Sequence, residues 1–337
     1  MEWNACHGFI SMTGGFSIMR LPLLACLLLF PGNVLAQFFS IPPISHPRYA
    51  SGDIDGDGTV EIVVGGRVGP FKAITDPLST KRARVDLYRR GGNDLSILAT
   101  GPDLNQVDDV ATGNLNSESG MEILAVGAGR LFVLGWTGDR LAIRNVENLP
   151  SGSSQRIETI DIDNDGSDEL ILTRYGLSGD GDVGTTSVNV YSWETGKLSL
   201  LQTIDLRTHV GDLAVVEDAE PKLILETGTG DEGGEVRVFG LGLTHHREIW
   251  RGQATEHRNR ALSLASIPGT GHLVVGSVTG DVRLFLLEKT GMSFRGKGPS
   301  QRNISGILLL DDGLEVLSVI GTSTTSQVPA SILPLSF

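Results

Sequence analysis

The sequence predicts an all-β fold of four-stranded antiparallel units, and three observations predict it. Short apolar runs recur six times, as Glu61-Ile62-Val63-Val64, Glu122-Ile123-Leu124-Ala125, Glu169-Leu170-Ile171-Leu172, Lys222-Leu223-Ile224-Leu225, His272-Leu273-Val274-Val275 and Glu315-Val316-Leu317-Ser318. They stand 43 to 61 residues apart, the size of one β-propeller blade. No stretch of twelve or more residues carries helical periodicity, and the 44 glycines suit a turn-rich chain.

Each unit reads in the same order. A first strand precedes the apolar run, at 48–52, 110–115, 157–162, 213–216, 262–267 and 307–310. The run itself is the second strand. A third follows with alternating apolar and polar residues, as in Val85-Asp86-Leu87-Tyr88, Val188-Asn189-Val190-Tyr191, Val236-Arg237-Val238-Phe239 and Val282-Arg283-Leu284-Phe285. An aromatic closes all four of these. A glycine-bearing turn such as Thr137-Gly138-Asp139 or Glu194-Thr195-Gly196 leads into a fourth strand, as at 95–99 and 198–204. One such meander cannot bury both of its faces, so the units are expected to stack in a closed ring. We read six blades, or seven if the N-terminal segment and the insertion at 66–83 hide another. The last unit runs out after its third strand, and Phe38-Phe39-Ser40-Ile41 is expected to supply the missing one, which would remove an exposed edge.

Between the first two strands of the first unit lies Asp53-Ile54-Asp55-Gly56-Asp57-Gly58-Thr59-Val60-Glu61, with acids at positions one, three, five and nine and glycine at six. The spacing returns in the third unit as Asp161-Ile162-Asp163-Asn164-Asp165-Gly166-Ser167-Asp168-Glu169. Like charges about 4 Å apart repel by roughly 1 kcal/mol per pair in water and about 4 at an effective dielectric near 20. A loop that gathers four of them calls for a cation, and hard oxygen ligands on a flexible loop suit Ca2+. An EF-hand is excluded, because its closing glutamate stands at twelve and here position twelve is Val64 or Leu172, inside a strand. A plain Asp-Gly turn explains neither the alternate acids nor Glu61 and Glu169.

Asp-x-Asp-x-Asp-Gly-x-x-Glu between two short strands, in repeats of this length, resembles the FG-GAP and VCBS repeats of integrin-like β-propellers. The name-giving Phe-Gly and Gly-Ala-Pro sequences are absent as such, and two loops carry the full motif. The resemblance implies structural Ca2+ between the first two strands of a blade. Asp53, Asp55 and Asp57 would be side-chain ligands, Thr59 would offer its carbonyl, and Glu61 would close the site. The same roles fall to Asp161, Asp163, Asp165, Ser167 and Glu169.

The second unit keeps oxygen ligands at one, three, five and nine, as Asn114, Asn116, Glu118 and Glu122, but its glycine has moved to seven. A third, weaker cation site is therefore possible there. The other units have lost the acids at ligand spacing. His245, His246 and His257 do not make a transition-metal site, because strand neighbours point to opposite faces, and they read as exposed. Trp136, Trp193 and Trp250 read as packing between blades.

Met19-Arg20, the apolar run 21–30, Pro31-Gly32 and Val34-Leu35-Ala36 form a secretory leader, with 1–18 as an upstream extension. An acylation site at Cys26 is the weaker reading. Residues 37–337 then form one propeller domain without cysteine, secreted or periplasmic, with no transmembrane segment. The formal net charge of −13 argues against nucleic acid as a partner. No nucleophile elbow, zinc-protease motif, phosphate loop or redox cysteine pair is present. The sequence is thus expected to encode a non-catalytic binding, adhesion or scaffold module for a protein or glycan. The alternative is a polysaccharide lyase or hydrolase with its site at the central mouth. Positions on the innermost strands read as mostly small or aliphatic, which disfavours that alternative.

Overall fold

A computed structural model of the chain describes residues 37–41, 44–68, 82–91, 94–116, 120–150, 153–176, 185–206, 208–227, 235–254, 262–267, 269–277, 281–298, 304–310, 315–320 and 328–334. The expected leader at 1–36, Glu118, His257 and residues 69–81 of the insertion lie outside the described residues.

After β1 (Gln37–Ile41), the chain runs through successive four-stranded antiparallel meanders. The first blade is β2 (Ile44–Gly52), β3 (Glu61–Val68), β4 (Ala83–Gly91) and β5 (Asp94–Thr100). The second is β6 (Asp109–Gly113), β7 (Glu122–Gly127), β8 (Arg130–Trp136) and β9 (Leu141–Asn148). The third is β10 (Ser153–Ile160), β11 (Glu169–Gly176), β12 (Thr185–Glu194) and β13 (Lys197–Leu206). The fourth is β14 (Val210–Val216), β15 (Lys222–Thr227), β16 (Glu235–Leu241) and β17 (His246–Gln253). The fifth is β18 (Leu262–Ile267), β19 (His272–Ser277), β20 (Val282–Glu288) and β21 (Gly291–Lys297). A further sheet, described mainly in its backbone, pairs β22 (Ile304–Leu310), β23 (Glu315–Ile320) and β24 (Val328–Pro334) with β1, Phe39 standing opposite Ala330. First strands stand side by side around the centre in the order β2, β6, β10, β14, β18 and β22, with β22 again beside β2. The fold is an all-β propeller.

Second strands begin at the six residues that open the apolar runs. First strands differ from expectation at their ends. β2 starts at Ile44 and β10 at Ser153, earlier than the apolar pattern reaches, and β6 stops at Gly113. The early starts coincide with one-residue register shifts at Ser45/Arg48 and Ser154/Ile157, which break the alternation that marks a strand in sequence. A second bulge repeats between strands three and four at Leu87/Tyr88, Val133/Leu134, Val190/Tyr191, Val238/Phe239 and Leu284/Phe285. The recurring aromatic of the third strand is this bulge residue.

Alternation along each second strand divides its side chains between two interfaces. Ile123 and Ala125 face the first blade with Val63 and Leu87, while Leu124 and Val126 face the third with Leu170 and Leu172. Every residue of β7 is buried, as a strand sandwiched between two sheets must be. Burying one such Leu or Ile contributes about 1.5–3 kcal/mol, and the pattern repeats between blades three and four and between four and five. Trp136, Trp193 and Trp250 pack against three of these cores, as the sequence predicts. His245 and His246 are exposed, His246 at the start of an outermost strand.

Candidate metal centre

In the corners between first and second strands of blades one to four, the residue that opens the second strand is buried: Glu61 is 0 % exposed, Glu122 3 %, Glu169 6 % and Lys222 3 %. Each glutamate spends one oxygen in the same way. Oε2 accepts the backbone amide of loop position two, from Ile54 at 3.0 Å, Leu115 at 3.1 Å and Ile162 at 2.8 Å. That position is a buried apolar residue in all three, so the loop is pinned to the core on one side and to the carboxylate on the other.

The rest of the loop is turned by its own aspartates. Asp53 accepts from Gly58 N at 2.9 Å, and Asp57 from Thr59 N at 2.8 Å. Asp161 accepts from Gly166 N at 2.9 Å, and Asp165 from Ser167 N at 2.8 Å. Position six is glycine at φ 85° in the first loop and 88° in the third, a left-handed conformation that costs glycine little. Position four is also left-handed, as Gly56 and as Asn164, the latter a residue that tolerates this region.

These turns bring carboxylates together. Oxygens of Asp53, Asp55 and Asp57 lie within 4.8 Å of one another, and so do those of Asp161, Asp163 and Glu169. Both clusters are able to hold a metal ion. Among the predicted ligands, Glu61 lies outside the first cluster and Asp165 outside the second, while Thr59 and Ser167 take part through backbone amides. Asp53 Oδ1 is buried with no hydrogen-bond partner, the kind of orphan oxygen that a cation satisfies.

What balances the charge differs from blade to blade. In the first loop Arg89, on β4, places Nη2 2.6 Å from Asp55, 3.1 Å from Asp57 and 2.7 Å from Glu61, with Nε 3.1 Å from Glu61. In the second, Asn116 Nδ2 donates to Glu122 Oε1 at 2.7 Å, and Arg144 approaches the same oxygen at 3.4 Å. Arg144 comes from β9 and passes over Gly135, where a Cβ would lie 1.9 Å from its Nε. Asn114 is used differently again: its Nδ2 donates to Gly166 O of the next blade at 2.9 Å. The fourth corner is shorter and holds its own cation, Lys222 Nζ donating to Asp218 at 2.5 Å and to Glu220 O at 3.2 Å. In the third loop Glu169 has only the Ile162 amide among the described residues, and burial, then the charges of Asp163, Asp165 and Asp161, pushes its carboxyl up to about 7. Burial also raises Glu61, against which Arg89 works.

No protein-family model matches the chain, and no curated protein matches it in sequence. Solved structures do resemble it. U3-55K shares 11% identity at a TM-score of 0.51, covering 89% of this chain and 98% of that one. The WD40 repeats of RRP9 share 10% identity at a TM-score of 0.50, covering 88% and 100%. A functionally unknown protein from Desulfotomaculum acetoxidans DSM 771 shares 11% identity at 0.51, covering 71% and 70%. The likeness is one of fold.

The centre of the ring holds what the sequence reading missed. At one register level, opposite Gly65, Val126, Thr173 and Glu226 of the second strands, the innermost strands of blades one to four carry Arg48, Asp109, Arg156 and Asp212. Arg48 lies 4.0 Å from Asp109, and Arg156 3.4 Å from Asp212. Asp109 accepts the Ile157 amide at 3.1 Å and Asp212 the Leu264 amide at 2.9 Å, each bond crossing to the next blade. Glu158 stands beside them half-buried, and loss of hydration, then Asp109 and Asp212, raises its carboxyl well above the usual range. The innermost positions are therefore not uniformly small or aliphatic. Among the described residues no helix is long and apolar enough to cross a membrane.

Proposed function

We propose that this chain is a calcium-stabilised, non-catalytic β-propeller that binds a protein or glycan outside the cytoplasm. The acid clusters at Asp53–Asp55–Asp57 and Asp161–Asp163–Glu169 support the calcium part, and the third loop carries it. There a buried carboxylate and two aspartates converge, with no cationic side chain among the described residues to balance them. The ion would be structural, fixing the corner between two strands, with Thr59, Glu61, Asp165 and Ser167 completing the two sites. The motif that supports an FG-GAP or VCBS membership is the same acidic loop. The leader at 1–36 supports secretion or a periplasmic location, with 37–337 as the working domain. We take the ring as six-bladed, closed by β1, on the strand order and the adjacency of β22 and β2. A melting curve in calcium and in EGTA tests the ion's role, and identical curves would sink it. A glycan-and-protein binding screen tests the module reading.

One observation favours the second reading, an enzyme acting on polysaccharides at the central mouth. Arg48, Asp109, Arg156, Glu158 and Asp212 converge there. Four of the five, however, are engaged in ion pairs or in hydrogen bonds to the next blade, which is a structural use. Turnover of a polysaccharide panel, abolished by Glu158→Gln, would reverse the order of the two readings.

A further inference from the structure

We infer that a cavity at the seam between blades two and three receives one pyranose ring of a neutral glycan. The inference rests on the binding-module reading above and gives it a ligand class.

Comparison of the blades sets this seam apart. The third-to-fourth-strand bulge adds one residue to the fourth strand: Leu98, Arg144, Leu201, Ile249 and Arg295 in blades one to five. Leu98, Leu201 and Ile249 pack on the apolar core that their blade shares with the next. Arg295 turns back to Glu288 of its own blade at 3.4 Å. Arg144 instead lines a cavity of about 190 Å³. Trp136 and Trp193 are equivalent residues, each ending a third strand opposite a leucine, Leu141 and Leu198. Trp136 packs with Leu98 on the core of the first seam. Trp193 lines the same cavity as Arg144. Where the first seam has a leucine the second has a guanidinium, and the space is unfilled.

The lining suits a sugar. Leu115 and Val133 are buried, Trp193 is half-buried, and Arg144 and Asn116 are exposed. The polar groups are held in place. Arg144 Nη2 donates to Trp136 O at 3.1 Å, and Nη1 lies 3.4 Å from Glu122 Oε1. Asn116 Nδ2 donates to the same carboxylate oxygen at 2.7 Å. Asn145 Nδ2 donates across the seam to Gly196 O at 2.5 Å. Side chains fixed in advance lose little freedom when a ligand arrives. The charges of Arg144 and Glu122 cancel, which favours neither an anion nor a cation. Two amides, a guanidinium and a carboxylate set donors beside acceptors, as hydroxyl groups require, being both at once. The indole adds a flat apolar wall for the C–H face of the ring. The volume is that of about six waters, room for one ring and not for a chain.

The test is saturation-transfer-difference NMR of the folded full chain, with circular dichroism as the check on folding. The probes are the methyl α- and β-pyranosides of glucose, galactose and mannose. At least one is expected to bind with a Kd of about 1 mM, the affinity that ordinary ligand efficiency gives about 13 heavy atoms. Methyl glucuronide should bind no tighter than methyl glucoside, and a clear preference for it would overturn the neutral class. Trp193→Ala and Arg144→Leu should each weaken binding by at least about tenfold. Should Trp193→Ala fail to fold, Arg144→Leu decides, because leucine already occupies this place in blades one and three. No hexoside bound at about 10 mM, or binding unchanged in the folded variants, would overturn the inference and leave the module reading intact. Turnover of a polysaccharide panel would overturn the module reading, and the two variants would still decide the cavity.

Discussion

Asp168 and Asn114 hold the corners of blades two and three together by two reciprocal hydrogen bonds. The Asp168 amide donates to Asn114 O at 2.7 Å, and the Asn114 amide donates to Asp168 Oδ2 at 2.7 Å. The acidic loops are therefore part of the contact between blades as well as turns within them. Replacing Asp168 with Ala leaves a backbone amide without its carboxylate. We expect a loss of about 1–3 kcal/mol in urea unfolding, with the calcium stoichiometry unchanged.

Calcium at about 100 times its dissociation constant should add about 2.7 kcal/mol of stability. For a domain of some 300 residues this is a rise of about 4 °C in melting temperature. Asp163→Asn should reduce the calcium shift to what the first loop supplies, and an undiminished shift would remove the third loop from the account.

The inner ring predicts a pH dependence. Glu158 is raised by lost hydration and by Asp109 and Asp212, so its folded value lies above its unfolded value of about 4.3. The fold favours the protonated form. Its contribution is complete below about pH 4 and is lost as pH rises through the folded value. Glu158→Gln should cancel that slope and stabilise the protein at pH 7. Melting temperatures of both proteins between acid and neutral pH check it, and parallel curves would remove Glu158 from the account.

Gly135 leaves room for Arg144 to cross to Glu122. Gly135→Ala should push the guanidinium away at a cost of about 1 kcal/mol, and Arg144→Gln should cost about the same. Because both break one contact, the double variant should cost little more than either alone. Additive losses would mean that Gly135 matters for another reason.

Much of this architecture is legible in sequence because it is local. The six starts of the second strand, the aromatic at the third-strand bulge and the acidic loops all lie in runs of fewer than a dozen residues. The charge balance of the corners is not. Arg89 reaches its loop from the third strand of its blade and Arg144 from the fourth, so the two occupy different places in the repeat and no shared spacing reveals them. The inner ring escapes for a similar reason. Arg48 and Arg156 sit at bulges, where the two-residue alternation that identifies a strand is interrupted, and their partners are a whole blade away in sequence.

The order Arg48, Asp109, Arg156, Asp212 has a consequence for how such a ring can change its membership. Excising blade two would seat one guanidinium against another, and excising blade three would seat one carboxylate against another. Removing or adding the two as a couple preserves opposite neighbours throughout. In this part of the chain, gain or loss of a single blade carries an electrostatic penalty that a pair of blades avoids and that the apolar interfaces would not impose.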